Sequence, residues 1–342
     1  MKGLILCAGR GTRMQPFSNT MPKTLLPVAN RPLLHYCIEK LNRVGITEIG
    51  VVINPQQKSI IEFLDRIQFP SPIEIIKQTR PLGIANAVQK AKAFIGDDPF
   101  VLLLGDNLIC EELHMLVDAS RGHDSAILLS RVENPSDYGI AEIEDGKIHS
   151  LVEKPKAPKS DLAVIGAYVF QPTIFDVIAK LKRSARGEYE ITDAIQQLIS
   201  DGYSVSFSVT DKPYSDVGTL ERWIVANGWM LNQVHGDQVK IGQNTTVENC
   251  TIRGPVLIGE NCLLQNVVIG PYVSVQDGVS LRDCEIADSI CLEDASICGI
   301  GVKIVQSVFG RSTNLQGEGE TKKVTFMLGD HSQVTFPIDH KE

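Results

Sequence analysis

Hydrophobic and polar positions over 1–235 switch between two periods. Short apolar runs at residues 3–7, 49–53, 73–76 and 100–104 predict buried strands. Between them, segments 32–44 and 56–67 carry apolar residues at helical spacing. Ile84, Ala87, Val88, Ala91, Phe94 and Ile95 likewise mark one helix face. Further on, 126–129, 140–143, 164–170 and 204–209 read as strands. Ile191, Ala194, Ile195, Leu198 and Ile199 form another helix face. A last helix over 218–234 carries Trp223 and Trp229 as packing residues. Continuous apolar strands between amphipathic helices predict an α/β fold whose mostly parallel sheet is covered on both faces.

Near residue 239 the period changes. Aliphatics recur at Ile241, Val247, Ile252, Ile258, Leu264, Ile269, Val275, Leu281, Ile286, Leu292, Ile297, Val302 and Val308, close to every sixth position, often with Gly following. Neither a helix nor an alternating strand has that period. It predicts a parallel β-solenoid of hexapeptide turns, about four coils, each aliphatic pointing into a narrow prism. The polar segment 311–342, with a strand-like run at 324–328, reads as a capping tail. The expected segments are therefore 1–235, 236–310 and 311–342.

A length of 342 residues agrees with about two domains. No apolar run is long enough to span a bilayer, and the short apolar start, followed at once by basic residues, does not read as a secretory signal. The eight cysteines form no Cys-x-x-Cys pair and no zinc spacing, so they are expected as small buried residues in a reducing cytoplasm. A net charge of −8 argues against nucleic acid and membrane surfaces as partners. Ahead of Glu39, the first acid in the chain, stand Lys2, Arg10, Arg13, Lys23 and Arg31. A local positive region on an acidic chain points to a small polyanion.

The glycines of the same region sharpen this. Ala8, Gly9, Gly11 and Thr12 follow a strand and lead to Arg13. Small residues let backbone N–H groups approach phosphate oxygens. Met14 stands where a dinucleotide fingerprint needs Gly, and no Gly-Lys-Ser/Thr follows. Lys23 lies just beyond this loop. Gln78 follows the strand at 73–76, Gly83 opens the next helix, and Asp106 ends the strand at 100–104. In open α/β sheets ligands bind outside the carboxyl ends of the strands, so these residues are expected at one edge.

Gly9-x-Gly11-Thr12-Arg13 with Pro22-Lys23, Gly105-Asp106, Tyr138-Gly139, Glu153-Lys154-Pro155 and the run from Arg186-Gly187-Glu188 to Asp193 resemble the sugar-1-phosphate nucleotidylyltransferases. With the tail motif Leu328-Gly329-Asp330-His331-Ser332, the resemblance extends to the long-form thymidylyltransferase branch and covers essentially the whole chain. It implies a Rossmann-like nucleotidyltransferase domain followed by a left-handed β-helix. It also implies transfer of a nucleotidyl group from a nucleoside triphosphate, dTTP favoured, to a sugar 1-phosphate, glucose 1-phosphate favoured. The attacking phosphate oxygen is already anionic, so catalysis reduces to positioning and charge neutralisation. By resemblance, Arg13 neutralises the pyrophosphate, Lys23 bridges the α-phosphate and the incoming phosphate, and Lys154 holds the sugar phosphate. Asp106 and Asp216 hold Mg²⁺.

The resemblance also gives Glu153 as acceptor for sugar hydroxyls, with Tyr138, Gly139, Val164 and Gly166 shaping that pocket, and Gln78 with Gly83 at the base. Leu82 stands where many thymidylyltransferases have Asp, as in uridylyl-type enzymes, which leaves dTTP and UTP both open. No His occurs in 236–330, which disfavours a bifunctional acetyltransferase and favours the solenoid as an assembly element of a homo-oligomer. A non-catalytic sugar-nucleotide sensor is the alternative of another class.

Overall fold

In a computed structural model of the chain, residues 1–9, 11–301, 303–317 and 326–335 are described. Two compact units emerge, one of Met1–Arg10 with Leu33–Asp216, the other of Gly11–Pro32 with Val217–Glu342. Among the described residues no helix is long and apolar enough to cross a membrane.

The first unit is built on a nine-stranded mixed sheet. Its strands are β1 (Lys2–Leu6), β2 (Ile49–Ile53), β3 (Ile73–Lys77) and β4 (Phe100–Leu104), with β6–β10 named below. β1 pairs in parallel with both β2 and β4, and β2 with β3. These are the strands that the continuous apolar runs predict. Helices α1 (Leu33–Arg43), α2 (Lys58–Arg66) and α3 (Ile84–Lys90) connect them, and the apolar face expected over 84–95 breaks at Ala91 into α3 and α4 (Lys92–Ile95). A short strand β5 (Leu108–Ile109) follows β4.

The other half of the sheet is largely antiparallel. β6 (Ser125–Arg131), the hairpin β7 (Gly139–Glu144) with β8 (Lys147–Glu153), and β9 (Leu162–Phe170) join β4 through β9. β10 (Val205–Thr210) adds to β6 in parallel. β8, α5 (His114–Ala119) and α6 (Thr173–Ile178) are not evident in the hydrophobic pattern. β8 carries a register shift between Ile148 and Ser150 that interrupts its alternation. Phe100, Phe170 and Phe175 are fully buried, with Phe175 stacked on Phe100 at 5.7 Å. Aromatic clusters of this kind contribute about 0.5–1.5 kcal/mol per pair beyond area burial. α7 (Ile191–Ser200) packs its apolar face into this core. Strand β11 (Tyr214–Ser215) closes the unit by pairing with β5.

The second unit contains helix α8 (Leu220–His235), capped by the Thr219 hydroxyl, which accepts from the Arg222 N–H at 3.3 Å. Two parallel sheets of six and eight strands follow, stacking coil on coil as a β-helix. Val239, Val256 and Val273 stand in register, so the early coils are of equal length. From Ile258 to Val308 the described members of the predicted aliphatic series are buried; Val302 lies outside the described residues. Ile241 and Val247 are exposed instead, because no earlier coil covers them. The coils continue into the tail: Asn314–Gln316, Met327–Leu328 and Gln333–Thr335 each pair in parallel with the coil before. Of the strand-like run 324–328, residues 324–325 lie outside the described residues.

Candidate active site

Because β1, β3 and β4 run parallel within one sheet, their carboxyl ends lie along one edge. Ala8 and Gly9 follow β1, and Gln57 donates to the Gly9 carbonyl at 3.3 Å. Beyond β4, Gly105 lies against Cys7 so closely that a Cβ would sit 2.6 Å from its sulfur. That contact sets the turn carrying Asp106. Asn107 is buried and donates to the Ile165 carbonyl at 2.9 Å. It thereby fixes the break in the β9 ladder where Gly166 sits at φ +77° against the Asn107 amide.

Gln78 follows β3, nearly fully buried. Its amide nitrogen donates to Asn86 at 3.0 Å and to the Gly83 carbonyl at 3.3 Å. Gly83 caps α3 at φ +101°, and a Cβ there would meet the Tyr189 carbonyl oxygen at 2.5 Å. Tyr189 N–H donates to Leu82 and Ala85 N–H to Tyr189, so this turn is docked on the Arg186–Asp193 motif.

Ser215 pairs with Leu108 and Tyr214 with Ile109 in the β5–β11 ladder. Asp216 directly follows Ser215, and Asp106 stands two residues before Leu108. A two-residue ladder thus joins the two segments that carry these acids, which lie far apart along the chain. Among the described residues no three His, Cys, Asp or Glu side chains gather as a metal-binding group.

On the antiparallel side, Glu153 ends β8. Its carboxylate accepts from the Thr192 hydroxyl at 3.1 Å and from Arg186 Nη1 at 3.2 Å. The same guanidinium lies 3.5 Å from buried Glu190, which also accepts from Ser184 Oγ at 2.9 Å. Burial pushes the Glu153 carboxyl above its usual range and the Glu190 charge adds to it, against the pull of Thr192, Lys154 and Arg186. Asp193 is raised by burial and by Glu190 in the same way. Gly139 packs against Thr192 and Glu153 where a Cβ would not fit. Lys154 is exposed and adopts φ +44°, held by its N–H donating to the Tyr138 carbonyl at 2.9 Å. Such strained backbone in a non-Gly residue costs about 1–3 kcal/mol and persists where the surroundings over-determine it. Tyr138 is half-buried, edge-on to Tyr214 at 6.2 Å, and Val164 is buried.

The remaining predicted residues belong to the second unit. Gly11 is left-handed at φ +62° and lies against Lys23. Thr12 and Arg13 form a 3₁₀ turn, Thr12–Met14, with Arg13 exposed; Lys23 opens another, Lys23–Leu25, and is buried. Arg10 lies outside the described residues. Arg186, Glu190, Thr192, Asn86 and Asn107 were not expected as site residues. The first three lie inside the Arg186–Asp193 motif, which is the signal the sequence offers for them.

Residues 2–233 match the family described as nucleotidyl transferase. The chain belongs to that family. This nucleotidyltransferase is 39% identical to the low-salt glycan biosynthesis nucleotidyltransferase of Haloferax volcanii, over 98% of this chain and 99% of that protein. It is 36% identical to a glucose-1-phosphate thymidylyltransferase of Streptomyces antibioticus, again over 98% and 99%. Among solved structures, one described as a glucose-1-phosphate thymidylyltransferase from Bacillus anthracis in complex with a sucrose superposes with a TM-score of 0.63. That match has 33% identity and covers 67% of this chain and 94% of that one. The family and the sheet topology agree with the Rossmann-like fold expected from the sequence.

Proposed function

We propose that this nucleotidyltransferase joins a nucleoside triphosphate, dTTP, to a sugar 1-phosphate, glucose 1-phosphate, releasing pyrophosphate. The observation that carries the reading is the alignment of Ala8-Gly9, Gln78 to Gly83 and Gly105-Asp106 at the carboxyl ends of three parallel strands. The similarity to thymidylyltransferases supports the choice of substrates. A sugar-phosphate oxygen attacks the α-phosphorus and forms the new P–O bond. The bond from the α-phosphorus to the bridging oxygen breaks, and its electron pair leaves with pyrophosphate. No proton moves, so no base is required. The obstacle is repulsion between polyanions.

In this reading Ala8, Gly9, Gly11 and Thr12 present backbone N–H groups to the triphosphate. Arg13 neutralises the leaving pyrophosphate, Lys23 the α-phosphate, and Lys154 the sugar phosphate, each contact worth ~1.5–3 kcal/mol. Glu153, held by Thr192 and Arg186, accepts from sugar hydroxyls in a pocket walled by Tyr138, Gly139, Val164 and Gly166. Asp106 and Asp216 suit Mg²⁺. They are hard oxygen donors on segments joined by the β5–β11 ladder, and two carboxylates are the number expected where phosphate oxygens and water complete the shell. The ion, when bound, neutralises phosphate charge. The chemistry is assigned to residues 1–235, and the coils of 236–310 with the tail to assembly. The exposed Val239, Ile241 and Val247 of the first coil support a homo-oligomer, and eight free cysteines support a reducing compartment, the cytoplasm.

Leu82, whose carbonyl is held by Tyr189, favours UTP as the second reading. A pyrophosphate-release panel decides between them: dTTP, UTP, CTP, ATP and GTP against glucose 1-phosphate, glucosamine 1-phosphate and N-acetylglucosamine 1-phosphate. Turnover with dTTP and glucose 1-phosphate, abolished in Asp106→Asn, is the expected result. Nucleotide binding without magnesium and without pyrophosphate from any pair would replace the reading with a sensor.

A further inference from the structure

The segment Gly11–Pro32, which carries Arg13 and Lys23, is folded into the same compact unit as α8 and the coils. It is gripped at both ends. At its carboxyl end, Asn227 of α8 accepts from the Ala29 N–H at 2.9 Å and from the Ser274 hydroxyl at 2.7 Å, while Asn30 donates to the Val275 carbonyl at 2.7 Å. In the middle, Trp223 donates its indole N–H to the Pro27 carbonyl at 2.6 Å and meets Phe17 edge-on at 5.3 Å. Near its start, the tail takes over. Thr20 donates its hydroxyl to Asp330 Oδ2 at 2.7 Å, and Gly329 lies against the Pro16 ring with no room for a Cβ.

Asp330 is itself rigidly held. Its side chain is 2% exposed and accepts from Arg311 Nε and Nη2 at 3.1 and 3.0 Å and from the Arg311 N–H at 2.8 Å. The rung around it is tied to the coil before through Gly310 N–H to Leu328, Thr313 Oγ to Gly329 and Asn314 N–H to Ser332. A buried, charge-assisted acceptor on a stiff coil therefore ends on a hydroxyl three residues before Lys23.

We propose that Asp330 is a positioning residue for nucleotidyl transfer: through Thr20 it holds the Arg13–Lys23 loop in its reactive arrangement, so the coils and tail act on the chemistry of their own chain. This rests on the reading of that loop as phosphate-binding. Among the described residues, the other acceptor of the Thr20 hydroxyl is the Phe17 carbonyl at 3.2 Å, within its own turn. Misplacing a charged group by about 1 Å costs on the order of 10²-fold in rate, so a loosened loop is expected to lose about tenfold.

The test uses the full-length protein and pyrophosphate release. Thr20→Val is expected to lower kcat about tenfold with KM within about twofold and the unfolding midpoint within about 2 °C. Thr20→Ser should restore kcat. Asp330→Ala should lower kcat as far, and the double variant Thr20→Val/Asp330→Ala no further. If Asp330→Ala does not fold, the comparison of Thr20→Val with Thr20→Ser decides alone. Wild-type kcat in Thr20→Val, or single effects that multiply in the double variant, would overturn the proposal. Arg13→Ala, run in parallel, separates the two levels. Full turnover there removes the reading of the loop, whereas a dead Arg13→Ala beside an unaffected Thr20→Val removes only the role of Asp330.

Discussion

Replacing Asn227 by Leu takes away one acceptor from two buried donors at once. Asn227 is fully buried, and both Ala29 and Ser274 are at most 3% exposed. Ala29 and Asn30 form the two-residue turn between Pro27–Val28 and Arg31–Pro32, with φ +47° and +59°. A turn with two left-handed residues favours Asn-Gly, and an alanine there is held against its own preference. Leu shares the branching of Asn but is bulkier, so a packing cost adds to the polar one. Each orphaned donor loses about 1–3 kcal/mol. Part is returned because the Asn227 Nδ2 has no partner and its own desolvation penalty disappears. The expected loss is about 2–4 kcal/mol. Trp223 and Trp229 are the chain's two tryptophans and both lie on α8, so fluorescence during urea unfolding reports on the unit concerned. Ser274→Ala, which leaves Asn227 bound to Ala29, should cost only about 1 kcal/mol, and the pair should be less than additive. A loss below about 1 kcal/mol in Asn227→Leu at unchanged m-value would refute the account.

Glu153→Gln should lower turnover yet stabilise the fold at neutral pH. The folded-state pKa of Glu153 is raised, so its contribution is intact below about pH 4.5 and is lost as pH rises through the folded value. The Gln variant's advantage in melting temperature should therefore open as pH rises above about 4.5, and a pH-independent gap would count against it. Gly83→Ala must push on the Tyr189 backbone and leave a left-handed φ. Nucleotide KM should rise at least about tenfold, with a stability loss of about 1–3 kcal/mol in thermal melts. In native protein a thiol reagent at pH 8 should label only half-buried Cys250 and Cys298 quickly. The other six are buried, and burial pushes Cys37 and Cys284 up to about 12; rapid labelling of Cys37 would contradict this.

What the sequence discloses follows from the range of the forces involved. Runs such as Phe100–Leu104 and Ile49–Ile53 are strands because nearly every residue is buried, so hydrophobicity alone marks them. The sixth-residue aliphatics from Ile258 onward are legible for the same reason. The β8 strand is hidden because its burial breaks phase at a bulge, and the helix break at Ala91 has no Pro or Gly to mark it. The motifs indicate which residues carry charge at the site, but not who holds them. Arg186 spanning Glu153 and Glu190, and Asn227 clasping Ala29 from the far side of the sequence, are contacts with no local pattern.

The register of the coils makes the solenoid a ruler. Asn30 reaches the rung at Val275, and Thr20 reaches the rung of Asp330, with steps at Ile290, Val308 and Met327 between the two grips. At about 4.8 Å per step, that gauge is about 14 Å long. A descendant chain could gain a coil below Val273 and keep both handholds. One that gained or dropped a tooth between Val275 and Asp330 would have to release one of them.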